Sequence, residues 1–442
     1  MDKKLFLIIC MLCSFLAIEK NYVEANAPVK LTFNPAVEGG SPYLLIEPIS
    51  EKTNSVKNLL LTAYAFDNSE IILATKIVST TETLHFVLPD RGKEDILGVR
   101  IEEIEDSKKT VIKEWRALYR PGKKLIDFLG SKNLKPPSDF QKYWDDAKQK
   151  LASVPMNPEI LPVLEKSTPT GKLYKVKLNS YNNIPIVCWY YVPKDVNPLS
   201  TQNSSGRKYP AIQIMPGWGA EEPPLDRTAE GFITLSLNPR AHGPSKEYFT
   251  TTVEHHLWNI DKPEEYYYRS AYMDCLCGIE FLARQSEVDK KRIGVEGGSQ
   301  GGAFALAVAG LDNRIACAVA NVPYISNFPD FVRLATNGSG TAFGRLMDDP
   351  VKGKIIQKTL SYIDVSNFTP LIQCPTMICI GLQDRVCPPT NGIVALNRLP
   401  KNVPRQLIID PSADHEVTTL MRKENKEWFE KYLYCNTKVS EK

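Results

Sequence analysis

The sequence has no excess of one charge. Its 442 residues include 54 basic and 51 acidic side chains, a net +3, so nothing in it argues for nucleic acid or an anionic membrane as a partner. It has no second long apolar run: beyond residues 5–18 no stretch is long enough to cross a bilayer. Metal-type cysteine pairing is also missing. The cysteines after that run show no paired Cys-x-x-Cys spacing, and none sits at a strand-to-helix turn where a thiol nucleophile would stand. Cys275 and Cys277, two apart in an expected helix, point in different directions, and buried free thiols are the expected state. No motif calls for a metal or an organic cofactor. Histidine is scarce: His85, His242, His255, His256 and His415 are all there are.

What is present is an ordinary globular composition, 43% apolar and 24% charged, in a chain long enough for two or three domains. The amino terminus reads as a secretory signal peptide. Asp2-Lys3-Lys4 precedes the apolar run 5–18, and Ala25-Asn26-Ala27 follows as a cleavage site. Cys10 and Cys13 follow Ile9 and Leu12 rather than a small residue, so a lipoprotein site is not expected. The mature chain is expected to be exported, periplasmic or secreted, after cleavage near Ala27.

Residues 28–118 carry strand-like segments at short spacing: 29–33, 43–49, 59–66, 71–78, 84–88, 97–103 and 108–115. Polar turns such as Glu38-Gly39-Gly40-Ser41 and Asp67-Asn68-Ser69 separate them. That pattern predicts a small all-β, sandwich-like domain. It holds one histidine and no acid–base cluster, which makes it an accessory or packing domain. A linker with Pro121-Gly122 and Pro136-Pro137 leads to a helix opened by Ser138-Asp139, whose Phe140, Tyr143, Trp144 and Ala147 lie three and four apart. Further on the pattern becomes strand, helix, strand. A hairpin is expected over 174–178 and 184–192, and strands at 211–215, 232–237, 292–296, 317–322, 376–381 and 405–410. Helices are expected at 266–284, 301–309 and 417–434. Short, doubly apolar strands alternating with helices predict an α/β class for residues 119–442, with a mostly parallel, doubly wound sheet covered on both faces.

Gly297-Gly298-Ser299-Gln300-Gly301 matches Gly-x-Ser-x-Gly. The pentapeptide alone is a weak signal, and its plain reading is a glycine-rich turn. Here it follows an apolar strand and precedes a helix of small residues. In that setting glycines allow a sharp turn that thrusts the serine hydroxyl out of the sheet, the nucleophile elbow of α/β-hydrolases. A serine nucleophile needs a base, and in that fold the chain order is serine, acid, histidine. Only His415 follows Ser299, in the loop after the last predicted strand. The acid belongs after the preceding strand, where Asp384 stands in Gln383-Asp384-Arg385. Asp410 and Asp414 are its rivals by proximity. One oxyanion donor should be the backbone N–H of Gln300. The other should be that of Trp218, in the turn Pro216-Gly217-Trp218-Gly219 after an earlier strand; the plainer reading there is a turn with a core tryptophan.

At these residues the chain resembles the acetyl xylan esterase and cephalosporin C deacetylase family, carbohydrate esterase family seven. The resemblance covers about residues 136–435. It is carried by Asp139-Phe140 with Trp144, Tyr266-Tyr267-Tyr268-Arg269 with Asp274, and Gly298-Ser299-Gln300-Gly301-Gly302. Leu360-Ser361-Tyr362 with Asp364 and Asn367, Gly381-Leu382-Gln383-Asp384 with Cys387-Pro388-Pro389, and His415-Glu416 complete it. It implies an α/β-hydrolase catalytic domain, Ser299, Asp384 and His415 as its triad, and the Trp218 and Gln300 amides as its oxyanion hole. Two segments depart from the family's pattern. Pro216-Gly217-Trp218 stands where the family usually has His-Gly-Tyr, and Arg240-Ala241-His242 where it usually has Arg-Gly-Gln. Both lie near the expected pocket, which makes Arg240 and His242 pocket residues. The segment between Pro244 and Tyr266 is shorter than the family's oligomer-forming insertion, so its ring-shaped hexamer is not carried over.

The resulting expectation is a serine esterase that removes acetyl groups from acetylated carbohydrate, of xylan or xylo-oligosaccharide type, through an acyl-enzyme and without metal or cofactor. Its partner is a small-molecule or oligosaccharide ester. The alternatives are a general carboxylesterase, a serine peptidase of the prolyl-oligopeptidase type, and a carbohydrate-binding protein with an inactive hydrolase domain. About 90 residues cannot supply that peptidase's propeller, and three triad residue types in the right order speak against an inactive domain.

Overall fold

The computed structural model describes residues 29–34, 43–48, 58–65, 68–79, 83–87, 95–105, 108–119, 135–200, 206–335 and 338–434. The expected signal segment, Pro121-Gly122 of the linker and Cys435 lie outside the described residues. The chain divides into two compact units, Met1–Leu129 and Gly130–Lys442.

In the first unit, alternation of apolar and polar residues produces seven strands: Val29–Asn34 (β1), Tyr43–Pro48 (β2), Asn58–Ala65 (β3), Asn68–Ser79 (β4), Leu84–Val87 (β5), Asp95–Glu105 (β6) and Lys108–Tyr119 (β7). They make a three-stranded sheet ordered β1-β2-β5 and a four-stranded sheet ordered β4-β3-β6-β7. Every pairing is antiparallel. The period of two puts Leu59, Leu61 and Ala63 of β3 on one face with Leu97, Val99 and Ile101 of β6. Phe86 and Leu84 of β5 pack into that cluster, so the two sheets share one core.

The second unit contains Phe140–Ala152 (α1), Glu159–Pro162 (β8), Gly171–Asn179 (β9), Pro185–Pro193 (β10), Tyr209–Met215 (β11) and Ile233–Asn238 (β12). Tyr267–Arg284 (α2), Val288–Gly298 (β13), Gln300–Leu311 (α3) and Ile315–Asn321 (β14) follow. Phe328–Leu334 (α4), Gly338–Met347 (α5), Gly353–Ile363 (α6), Thr376–Gly381 (β15), Pro389–Asn397 (α7), Arg405–Asp410 (β16) and Thr419–Tyr434 (α8) complete it. Nine strands form one sheet in the order β16-β15-β14-β13-β11-β12-β10-β9-β8. From β16 to β12 all neighbours are parallel. Beyond β12, the expected β9–β10 hairpin and the edge strand β8 continue it antiparallel.

The parallel strands β11, β12, β14 and β15 are buried on both faces, and their alternation sorts the partners. Ile212 and Ile214 of β11 join a cluster with Val319, Met377, Met421, Trp428 and Phe429, under α8. Gln213, between them, points the other way and donates to the Cys275 carbonyl of α2 at 3.0 Å. The helix comes that close because residue 278 is glycine: a Cβ there would lie 2.2 Å from Gln213 Oε1. Helix α1 docks through Trp144, fully buried, whose indole N–H donates to the Tyr362 carbonyl at 3.1 Å. Among the described residues no helix is long and apolar enough to cross a membrane. The seven described cysteines of this unit are all buried and unbridged.

A parallel sheet gathers the carboxyl ends of its strands along one edge, and the loops leaving that edge are where a site can be assembled. The turns after β11, β13, β15 and β16 carry Trp218, Ser299, Asp384 and His415 respectively.

Candidate active site

Ser299 is the single residue between β13 and α3, at φ 57° and ψ −119°. A side chain tolerates that conformation poorly, and the surroundings hold it there. The Ser299 N–H donates to the Asn321 carbonyl at 2.9 Å, and its own carbonyl accepts from the Tyr324 and Ala303 amides at 3.0 and 3.1 Å. The glycines of the motif are required by space. A Cβ on Gly297 would stand 2.3 Å from the Gly301 carbonyl carbon, and one on Gly301 would stand 2.1 Å from the Met215 carbonyl oxygen.

The hydroxyl so presented meets His415. Its Oγ lies 2.9 Å from His415 Nε2, and His415 Nδ1 lies 2.8 Å from Asp384 Oδ2. Asp384 is fully buried, and its Oδ1 accepts the amides of Val386 and Cys387, each at 2.8 Å. Those two bonds fix the carboxylate so that Oδ2 faces the imidazole. The imidazole proton therefore sits on Nδ1, and the Nε2 lone pair is free to accept from the serine hydroxyl. The rivals for the acid position are engaged elsewhere. Asp410 caps its own turn through the Ser412 amide and hydroxyl, and Asp414 accepts the His415 backbone amide at 2.9 Å.

Burial works against charge on His415, and the neighbouring Cys387 and Asp384 groups outweigh it, so its pKa stands above the ordinary histidine value. The thiol of Cys387 lies beside His415 and Ser299, and burial pushes its pKa up.

The Pro216-Gly217-Trp218 turn runs against the nucleophile: a Cβ on Gly217 would be 3.9 Å from Ser299 Cβ. Among the described residues neither the Trp218 nor the Gln300 backbone amide has a hydrogen-bond acceptor. The Trp218 ring is 40% exposed and rests on the rings of His255 and His256, at centroid distances of 5.4 and 5.6 Å. The tryptophan is thus not a core residue but a partly exposed wall.

Arg240 and His242, expected to line the pocket, are buried, at 2% and 0% exposure, and Arg240 borders a cavity of about 520 Å³ with Tyr181, Phe249 and Trp258. The Arg240 guanidinium is bound to both carboxylate oxygens of Asp274, at 2.8 Å each, and to the Tyr181 carbonyl. His242 uses both ring nitrogens on protein atoms, with Nδ1 3.1 Å from the Arg240 carbonyl and Nε2 2.9 Å from Gln300 Nε2. The partners of Arg240 and His242 on α2 and α3 come from distant sequence and turn them inward. Sequence reasoning also passed over His255, His256, Tyr268 and Cys387 as neighbours of the site. The adjacent histidine pair in a chain with five histidines was the available signal.

Comparison with known proteins gives a consistent picture. The family model for acetyl xylan esterase (AXE1) matches residues 121–432. The acetyl esterase Axe7A of Xylanibacter ruminicola is 29% identical over 313 residues, covering 68% of this chain and 68% of that protein. The structure of an acetyl xylan esterase from Paenibacillus sp. R4 aligns with a TM-score of 0.63 and 27% identity, over 70% of this chain and all of the other. That of acetyl xylan esterase 1 from Thermoanaerobacterium sp. JW/SL YS485 aligns with a TM-score of 0.61 over 71% of this chain and 99% of that one; at 24% identity it speaks for the fold.

Proposed function

The chain belongs to the acetyl xylan esterase family, and from that membership we propose a mechanism and substrate for it: Ser299-dependent removal of acetyl groups from acetylated xylan or xylo-oligosaccharides. It is a carboxylic ester hydrolase with the α/β-hydrolase fold. The observation that carries the mechanism is the hydrogen-bonded chain Ser299–His415–Asp384.

The steps follow from that geometry. His415 Nε2 takes the Ser299 proton as Oγ attacks the acetyl carbon. The imidazolium that forms is stabilised by Asp384, which also holds the ring in the required tautomer. Negative charge develops on the former carbonyl oxygen, and the amides of Trp218 and Gln300, which have no acceptor among the described residues, are the donors that can receive it. His415 then gives that proton to the sugar oxygen as the ester C–O bond breaks, so the sugar leaves as an alcohol and Ser299 is left acetylated. Water enters, His415 accepts its proton, and acetate leaves as Ser299 is restored.

Acetyl preference has a local reason. Trp218 sets a large, rigid ring beside one oxyanion donor, where a longer acyl chain would need room. Each methylene that finds no place forfeits burial worth about 0.8 kcal/mol and adds overlap strain. The test is kcat/KM for the acetate, butyrate and octanoate esters of one alcohol, alongside acetate release from acetylated xylan. A fall of roughly ten- to two-hundred-fold per step is expected. A profile flat or rising with chain length would make the protein a general carboxylesterase. Export of the mature chain after cleavage near Ala27 is part of the same proposal, supported by the amino-terminal sequence.

A further inference from the structure

Behind the nucleophile, the side-chain amide of Gln300 is held at both ends. Its Nε2 donates to His242 Nε2 at 2.9 Å. Its Oε1 accepts from the Tyr268 hydroxyl at 2.9 Å and from His255 Nε2 at 3.0 Å. All four side chains are buried. The pattern assigns every proton. The Arg240 carbonyl, 3.1 Å from His242 Nδ1, can only accept, so the proton is on Nδ1, where the Tyr267 hydroxyl oxygen also lies at 3.1 Å, and Nε2 offers its lone pair to Gln300. His255 must carry its proton on Nε2. Burial drives both imidazoles to the neutral form: His242 is lowered to about 4, and His255 lies well below the ordinary value. The Gln300 amide can sit only one way round, because a flip would set its NH2 against the His255 N–H and its oxygen against the His242 lone pair.

We propose that His242 is a positioning residue for ester hydrolysis, acting through the Gln300 carboxamide on the Gln300 backbone amide. The inference rests on the reading of that amide as an oxyanion donor. Gln300 opens α3 directly after Ser299, so the residue clamped by the network is the one whose N–H faces the reacting oxygen. Such a donor works because its dipole is set before charge develops. The Gln300 N–H is tied to no acceptor among the described residues; its peptide plane is held on the Ser299 side by the Tyr324 and Ala303 amides on the Ser299 carbonyl, and the side-chain clamp holds the residue from the other side. The same cluster reaches the second donor, since the His255 ring lies 5.4 Å from the ring of Trp218. His242 comes from the loop after β12, His255 from the segment before α2, and Tyr268 from α2 itself. Three separate elements thereby converge on the first residue of α3.

The test compares His242→Leu, His242→Gln and Tyr268→Phe in the full chain, with an aryl acetate as substrate. His242→Leu removes the acceptor for Gln300 Nε2. Its kcat is expected to fall about tenfold or more while KM stays within about twofold, as for a group that acts only in the transition state. His242→Gln returns an acceptor oxygen and is expected to restore kcat to within about threefold of wild type. Tyr268→Phe deletes one donor and keeps the ring, and kcat is expected to fall several-fold at unchanged KM. Equal losses in His242→Leu and His242→Gln would overturn the proposal, and so would unchanged kcat in both His242→Leu and Tyr268→Phe. Should His242→Leu not fold, Tyr268→Phe decides: a kcat loss at constant KM supports the clamp, and no loss refutes it. Ser299→Ala, measured alongside, separates the two readings. Turnover by Ser299→Ala would remove the esterase assignment itself. An inactive Ser299→Ala beside normal His242→Leu and Tyr268→Phe would remove the positioning role alone.

Discussion

Asp274→Asn should destabilise the hydrolase unit without acting on the chemistry directly. Asp274 is fully buried on α2. It receives the Arg240 Nε, Nη2 and backbone N–H at 2.8, 2.8 and 3.0 Å, and the Ser180 hydroxyl at 2.6 Å. The amide is nearly isosteric, so packing is preserved, but its NH2 cannot accept from the guanidinium. Arg240 is then left charged, buried and half-partnered. Breaking a buried pair from one side costs about 3–5 kcal/mol. Unfolding entropy of about 2.1 cal/mol/K per residue, over a unit of roughly 300 residues, gives about 0.6 kcal/mol/K. The expected loss in Tm is therefore about 5–8 °C. Scanning calorimetry of wild type and variant reads it in the transition belonging to the hydrolase unit. The variant assayed well below its Tm should keep KM for a small acetate ester. A Tm shift under about 2 °C would refute the reasoning, because it would mean that Arg240 does not depend on Asp274. A large rise in KM with unchanged Tm would return Arg240 to the substrate pocket.

Two further outcomes follow from the site. The base must be neutral to act, and the pKa of His415 is raised with Asp384 as one cause, so kcat/KM should rise with pH through that raised value. Asp384→Asn should move this acid limb to lower pH while cutting kcat by about 10⁴-fold; a limb that stays in place would show that another group titrates. Gly301→Ala should prevent the elbow from forming, since its Cβ would stand 2.1 Å from the Met215 carbonyl oxygen; a soluble variant with wild-type turnover would contradict that packing.

Much of the fold was legible because the chain obeys simple periodicities. The seven strands of the first unit lie where short alternating segments predicted them, and β11, β12, β14 and β15 stand out as brief runs buried on both faces. What was missed has local causes. Strand β8, Glu159–Pro162, pairs only with β9 and is largely exposed, so it shows no apolar pattern. Helix α4 has seven residues, α5 opens on Gly338-Ser339-Gly340, and α7 opens on Pro389-Thr390-Asn391-Gly392; such openings read as loops. In α7 the glycine has a packing reason, since a Cβ on Gly392 would lie 2.5 Å from Ile380.

For the site, chain order and scarcity singled out Ser299, Asp384 and His415, and the fold brings these three within hydrogen-bond distance. The surroundings were less legible, because they depend on which side chains face inward. Nothing in Arg240-Ala241-His242 announces that the arginine will meet Asp274 on α2 or that the histidine will meet Gln300 on α3. Those contacts exist only once β12, α2 and α3 are stacked on the sheet.

The most direct test of the central claim is the site of covalent capture by a fluorophosphonate, read by intact mass and peptide mapping. The account predicts one adduct per chain, on Ser299, with esterase activity lost in step and no adduct on Ser299→Ala. Inactivation with the adduct on another residue, or full ester turnover by Ser299→Ala, would contradict it.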